Sequence, residues 1–294
     1  MSIKKYKERL NKQTYKELER ILEKSKLVGY PGAHPREDIL NKQKKFVKKT
    51  NEGKKTTNGL QFPDTDKINM ETVKESVKKF TGINENLSDS DQKAWVTQEK
   101  FISYLCEAVD FSLEILNNNG TVILGTGHAS LYRPYAYIAD LLREKGAEIY
   151  YSKMHEAPAE FPSCWIGNLN GVIILFGKQK AREKKKQIEF KHTHSDEILK
   201  LVWEKENLNP DLVLGDHGFA GFAINKKVPT IAITDTNDID LLVAAQKYPE
   251  RVFPIPMHDN PGAEAGLDLG YCFEIVLKYR LANYETGSVF ADEK

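Results

Sequence analysis

Apolar residues recur along residues 1–118 at the three-to-four spacing of helices, and after Gly120 the rhythm changes to short unbroken apolar runs. Ile3, Tyr6, Leu10, Leu18, Ile21 and Leu22 open the chain at helical spacing. A breaker-rich stretch over 29–35, with Pro31, Gly32 and His34, interrupts it before a second helix from Arg36. Residues 51–66 are polar and basic and read as a loop. A short helix over 70–80 follows, then the strongest helical pattern of this half, over 91–117. There Ile102, Leu105, Cys106, Val109, Leu113 and Leu116 share a face, and Asn117-Asn118-Asn119-Gly120 supplies the stop.

Beyond Gly120, strands are expected over 121–124, 147–151, 171–176, 188–192, 211–214, 230–234 and 251–255. Helices are expected between them over 131–145, with Pro134 in the first turn, then after Ser195 as a cap, from Gly218, from about Asp238, and over 263–281. Unbroken apolar strands alternating with helices are the mark of strands buried on both faces. The pattern therefore predicts an α/β fold: a doubly wound, mainly parallel sheet with a helical N-terminal region. The expected division is a helical region over 1–118 packed on a Rossmann-like catalytic domain over 119–294.

Composition narrows the function classes. Lys+Arg is 43 and Asp+Glu 42, so the net charge of +1 gives no global drive toward nucleic acid or an anionic membrane. The three cysteines, Cys106, Cys164 and Cys272, are far apart and form no C-x-x-C, which fits reduced thiols and a cytoplasmic protein. No apolar run approaches the roughly 20 residues of a membrane span, and no apolar segment follows the basic start as in a signal peptide. The run Lys178–Lys186 reads as a solvated loop or an anion-gathering lid, and lacks the aromatics of a single-strand binding platform.

Candidate chemistry sits where the strands end. In open α/β sheets ligands bind beyond the carboxyl ends of the strands. Gly125, Thr126, Gly127 and His128 follow the first strand. Lys153 and His155 follow the second. His192 and His194 stand around the fourth, Asp216 and His217 after the next, then Asp235, Asn237 and Asp238, and finally His258, Asp259 and Asn260. Six of the seven histidines are in this register. The turn at Gly125–His128 can present amides to an anion at a helix N-terminus, with Arg133 as a clamp; a tight turn chosen for geometry is the plainer reading. His192 and His194, two apart in a strand, would point to the same side, as two ligands of one metal or a ligand and an acid/base. Asp216, Asp235, Asp238, His258 and Asp259 can complete a metal site, although helix capping is an alternative for Asp238 and a polar turn for His258–Asn260. Imidazole mixed with carboxylate suits Mn²⁺, Fe²⁺ or Zn²⁺ better than Mg²⁺, and metal-free acid/base work by His128, Asp216 and His217 remains open.

Five segments in order, Gly125-Thr126-Gly127-His128, Lys191-His192-Thr193-His194-Ser195, Gly215-Asp216-His217-Gly218-Phe219-Ala220-Gly221, Asp235-Thr236-Asn237-Asp238 and Asp259-Asn260, resemble a family of bacterial proteins, mostly actinobacterial, that carries the generic label phosphatase. The resemblance extends back to around Ser25 and includes Pro35-Arg36. It departs at Ala129 and Ser130, where the family has a Pro and a Gly, and in the basic run after Gly177. Aspartyl-phosphate and cysteine phosphatases are excluded, because neither an Asp-x-Asp-x-Thr/Val after the first strand nor a C-x₅-R is present. The expectation is a metal-assisted phosphomonoesterase acting on a small phosphorylated metabolite or nucleotide. In it His192, His194, Asp216, Asp235, Asp238, His258 and Asp259 would hold metal, Gly125, Thr126, Gly127, His128 and Arg133 would receive phosphate, and His217 would be the leaving-group acid. The alternatives are a non-catalytic nucleotide-binding module, and a lyase or isomerase on a phosphorylated substrate.

Overall fold

Helix signals in the first third of the chain become helices, three of them with side-chain caps. The computed structural model describes residues 10–25, 27–28, 36–63, 68–82, 96–177, 189–258 and 262–285. The breaker stretch 29–35, the basic run Lys178–Lys186 and the pair Asp259-Asn260 lie outside them. Helix α1 (Lys12–Lys24) starts at Asn11, whose side chain accepts from the Thr14 N–H. Helix α2 (Arg36–Asn51) has Glu37 and Asp38 in its first turn, where the helix dipole favours them. Helix α3 (Met70–Thr81) is capped by Asn69 and stopped by Gly82 in the left-handed region. Helix α4 (Gln98–Asn117) buries the expected face, but begins at a Thr97 cap, several residues after the start expected from periodicity. A capping hydroxyl fixes the first turn more sharply than the apolar repeat does.

The remaining chain alternates. Strand β1 (Thr121–Thr126) leads through a short 3₁₀ turn (Ala129–Leu131) into α5 (Tyr132–Glu144). Then come β2 (Glu148–Ile149), β3 (His155–Glu156), β4 (Cys164–Leu169), β5 (Val172–Gly177) and β6 (Glu189–Phe190). Helix α6 (Glu197–Glu206), β7 (Leu212–Asp216), α7 (His217–Asn225), β8 (Thr230–Thr234), α8 (Ile239–Lys247), β9 (Val252–Pro256) and α9 (Ala263–Glu285) follow. The sheet order is β3-β4-β5-β1-β7-β8-β9, with β2 beside β1 and β6 beside β5. Strands β5, β1, β7, β8 and β9 are parallel, while β3, β4 and β6 pair antiparallel. The mainly parallel, doubly wound expectation holds.

Periodicity passes over two strands, the two-residue β3 and the longer β4. Strand β4 pairs with β5 through a two-residue turn, Asn170 and Gly171, both at positive φ (49° and 84°). Asn-Gly is the preferred pair for such hairpin turns, because its backbone twist matches that of the strands.

Alternation within the strands feeds two opposite cores. Val122 and Leu124 of β1, with Leu212 and Leu214 of β7, pack with α1, α4, α5 and α9. Ile123 and Val213 face the other side, against Ile198 and Val202 of α6 and Phe219 and Phe222 of α7. A third cluster joins Phe46 of α2 and Val73 and Phe80 of α3 to Leu242 and Ala245 of α8. The N-terminal helices thus contribute to both faces of the sheet. Each buried Leu or Ile adds roughly 1.5–3 kcal/mol, so this layering is the main source of stability. Cys106, Cys164 and Cys272 are free and buried, and burial raises the Cys106 thiol to about 12. Among the described residues no helix is long and apolar enough to cross a membrane.

Candidate functional site

The sheet reverses direction of growth between β1 and β7. On one side of β1 lie β2 and β5, with β4 and β3 beyond β5, and the chain then crosses to the other side, where it builds outward from β7 through β8 to β9. Such a switch point opens a crevice at the carboxyl ends of the two strands. The segment after β1 carries Gly127 and His128, and β7 ends in Asp216, followed by His217.

Asp216 bridges this crevice. It is fully buried and precedes α7, yet its side chain makes no cap. Its Oδ1 instead accepts the Gly127 N–H at 3.0 Å. Its Oδ2 accepts no hydrogen bond and faces His217 Nδ1 at 3.2 Å. His217 has φ 44°, in the left-handed region, and is fully buried. A non-glycine residue held there stores on the order of 1–3 kcal/mol of strain, and such strain concentrates at functional sites.

Four imidazoles meet over this pair. His217 lies 3.9 Å from His194 and 5.4 Å from both His128 and His192, ring centre to ring centre. His128 and His192 are 4.3 Å apart, and His192 and His194 are 4.8 Å apart. His192 and His194 come from extended chain after β6 rather than from the strand itself. That chain is tied to the first loop by the Thr193 N–H, which donates to Gly127 O. Gly127 is glycine for this contact: a Cβ there would stand 2.0 Å from Thr193 O. The rings are graded in depth, from buried His217 through half-buried His128 and His194 to exposed His192.

A loop from the N-terminal third completes the site, and the sequence reading did not find it. Asn58 is buried and lies against α7, where a Cβ on Gly221 would fall 1.8 Å from its carbonyl oxygen. Its amide nitrogen donates to Asp238 Oδ1 and Asp240 Oδ1, each at 2.9 Å. Its side-chain oxygen is therefore the group that faces His194 Nδ1 at 3.0 Å, which makes that nitrogen the protonated one and leaves Nε2 with its lone pair. Asp240 is held further by Thr56 Oγ1 and the Asn58 N–H. Asp238, like Asp216, makes no side-chain cap on its helix; its Oδ2 accepts the Asp235 N–H at 2.9 Å.

Among the described residues two sets of side chains can hold a metal ion: His194, His217 and Asp238, and His128, His192 and His217, each with ligand atoms within 4.8 Å of one another. The first set fits the requirement better. Its two imidazoles have their second nitrogens facing Asn58 and Asp216, the outer contacts that orient ligating histidines. Buried Asp216, Asp235, Asp238 and Asp240 also gather negative charge on one rim, and the basic groups facing Asp216, Asp238 and Asp235 are imidazoles, His217 and His258. Buried carboxylates are costly unless paired or bound to a cation.

Other expected residues fall elsewhere. Asp235 and His258 face each other at 3.8 Å beside the cluster, outside both metal-capable sets. Asp216 stands behind His217 as its support. Asp259 lies outside the described residues. The Gly127 amide is engaged by Asp216 and the His128 amide by Thr126 Oγ1, so these N–H groups are committed within the loop. Gly125 is paired within the parallel ladder. Arg133 is exposed in the first turn of α5. His155 pairs with Glu206 at 2.5 Å on the antiparallel side. Ser195 contributes to the start of α6 by accepting the Glu197 N–H, one residue before the Asp196 cap position.

The chain's likeness to a known family spans the segments that build this rim. A curated relative, Phosphatase SCO2771 of Streptomyces coelicolor, is 37% identical over 73 residues, or 24% of this chain and 28% of the relative. The aligned part thus spans little more than a quarter of that protein's length. The model of the family described as Phosphatase matches residues 13–265, from α1 into α9 and across every segment of the site. The chain belongs to the Phosphatase family.

Proposed function

We propose that the rim between β1 and β7 is the active site of a metal-assisted phosphomonoesterase acting on a small phosphorylated metabolite. The observation that carries the reading is the convergence of His128, His192, His194, His217 and Asp238, drawn from four separate segments, with Asp216 and Asn58 aligning two of the rings. A structural role needs no such concentration of titratable groups.

His194, His217 and Asp238 are the set that would hold a divalent cation, with Mn²⁺, Fe²⁺ or Zn²⁺ suited to two imidazoles and a carboxylate. Such an ion, when bound, lowers the pKa of water toward neutrality and offsets the negative charge of a phosphoryl group. The chain's own groups do the rest. Asp216, 3.2 Å from Nδ1, holds the His217 ring in one orientation. Asn58 fixes the tautomer of His194. His128 and His192, nearer solvent, are placed to bind phosphoryl oxygens and to pass a proton to the leaving oxygen. His217 is too deeply buried to be the leaving-group acid, which moves that role to His192 or His128.

The test is phosphate release from p-nitrophenyl phosphate and a panel of phosphorylated metabolites, by chelator-stripped protein with and without added Mn²⁺ or Zn²⁺. The reading predicts turnover that returns with the ion. Absence of phosphate release under every condition would remove it.

A further inference from the structure

The metal-capable cluster opens on one side into a cleft of about 150 Å³. His194 and Asp238 form its inner wall, and Lys42, Lys45 and Lys49 of α2 form its outer one. Spacings of three and four residues put these lysines on one helical face, a stripe about 10 Å long at 1.5 Å per residue. Lys42 and Lys45 are exposed and Lys49 is half-buried. None of the three forms an ion pair among the described residues. The carboxylates of the opposite wall, Asp238 and Asp240, are held by neutral donors, Asn58, the Asp235 N–H and Thr56, and a cation at Asp238 would offset their charge. The positive charge of the cleft therefore lies on its outer wall, beside the site rather than within it.

We infer that the substrate carries a second phosphoryl group, which Lys42, Lys45 and Lys49 bind while the first lies at the histidine cluster. This rests on the phosphatase reading above and names the class of substrate for that site. Flexible ammonium groups suit phosphate oxygens as point charges, without the planar fork that selects carboxylates. The cleft favours a compact bisphosphate over a nucleotide. Its Phe46 ring is buried and packed edge-on against Phe62, centroids 5.8 Å apart, so it offers no face to a base.

The experiment compares fructose 1,6-bisphosphate with fructose 6-phosphate as probes, on metal-loaded full-length protein. The variants are Lys42→Ala/Lys45→Ala/Lys49→Ala and, as a control with charge removed from the same helix outside the cleft, Lys44→Ala/Lys48→Ala. Wild type should prefer the bisphosphate in kcat/KM. The cleft variant should lower that preference at least about tenfold, mainly through KM, and the control variant should keep it. Equal preference in all three proteins, or equal loss in both variants, overturns the inference while the hydrolase reading stands. A wild type that releases phosphate from neither ester, nor from p-nitrophenyl phosphate or the metabolite panel, with any metal removes the hydrolase reading instead. Binding of inorganic pyrophosphate, followed by calorimetry, then decides the cleft by itself: weaker binding by the cleft variant alone supports the anion site, and equal binding by all three overturns it.

Discussion

The two halves of the sheet use the same residue types to different ends. Around β1, β7 and β8 the strands run parallel, so the chain leaves each one at the same rim, and His128, His217 and Asp238 arrive together. At the other edge, β3, β4 and β5 alternate in direction, and successive strand ends point to opposite rims. His155 stands at the start of β3, and its imidazole is taken up by Glu206, which also accepts from the Tyr150 hydroxyl and, at 3.0 Å, from the Lys153 N–H. A histidine beside a strand is thus a site candidate where strands are parallel and a structural partner where they are not. His192 and His194 show what escapes this: they follow an antiparallel strand, yet Thr193 ties them back to Gly127 and so to the parallel rim.

Four substitutions sharpen the contrast. Asp216→Asn keeps the shape of the side chain and loses its charge behind His217. Turnover of p-nitrophenyl phosphate should fall by roughly 10²-fold or more with the fold retained, as seen by circular dichroism. Next in size is Asn58→Ala, which frees His194 to change tautomer. Metal affinity, read by competition with a chelating dye, should fall about 10–100-fold, the usual effect of losing an outer contact to a ligand. Unchanged affinity would make Asn58 a loop anchor only.

Gly221→Ala attacks the same loop from below. The added Cβ must push Asn58 away, costing roughly 1–3 kcal/mol. The expected outcome is a lower melting temperature together with weaker metal binding. A drop in melting temperature alone would separate the loop from the site.

On the antiparallel side, Glu206→Gln should leave turnover unchanged and lower stability by about 1 kcal/mol. Burial pushes the Glu206 carboxyl up, but hydrogen bonds from Tyr150, His155 and the Lys153 N–H outweigh it and hold it below its ordinary 4.5. A depressed carboxyl stabilises the fold above its unfolded value. The gap in melting temperature between wild type and variant should therefore be full above pH 4.5 and close as pH falls through the lower folded value. A gap that persists in acid would show that shape, not charge, matters there.

The comparison also explains what could be read from sequence. Unbroken apolar runs identified the parallel strands, and the polar residues after them identified most of the rim. Two things were hidden. Strand β4 mixes Trp165, Gly167 and Asn168 with its apolar positions and so lacks a clear period; its signal was the Asn170-Gly171 turn. Asn58 lies in a polar stretch with no periodicity and reaches its partners across the fold, so nothing local marked it. The trace it left is Gly221, in the middle of a buried helix. Glycine there costs about 1 kcal/mol against alanine and so asks for a close neighbour. Helix capping was a fair alternative for Asp238, and Asp216 precedes a helix as well. Only the folded structure shows their oxygens turned toward Gly127, Asn58 and the Asp235 N–H.

His217 belongs to both metal-capable sets, so it is where the account is most exposed. The direct measurement is the metal content of wild type and His217→Ala, each purified without chelator and then reloaded with Mn²⁺ or Zn²⁺, with p-nitrophenyl phosphate turnover recorded on the same samples. The account predicts bound metal and turnover in wild type, and loss of both in a variant that still melts cooperatively. Turnover by His217→Ala at the wild-type rate, or by wild type stripped of metal, would contradict it.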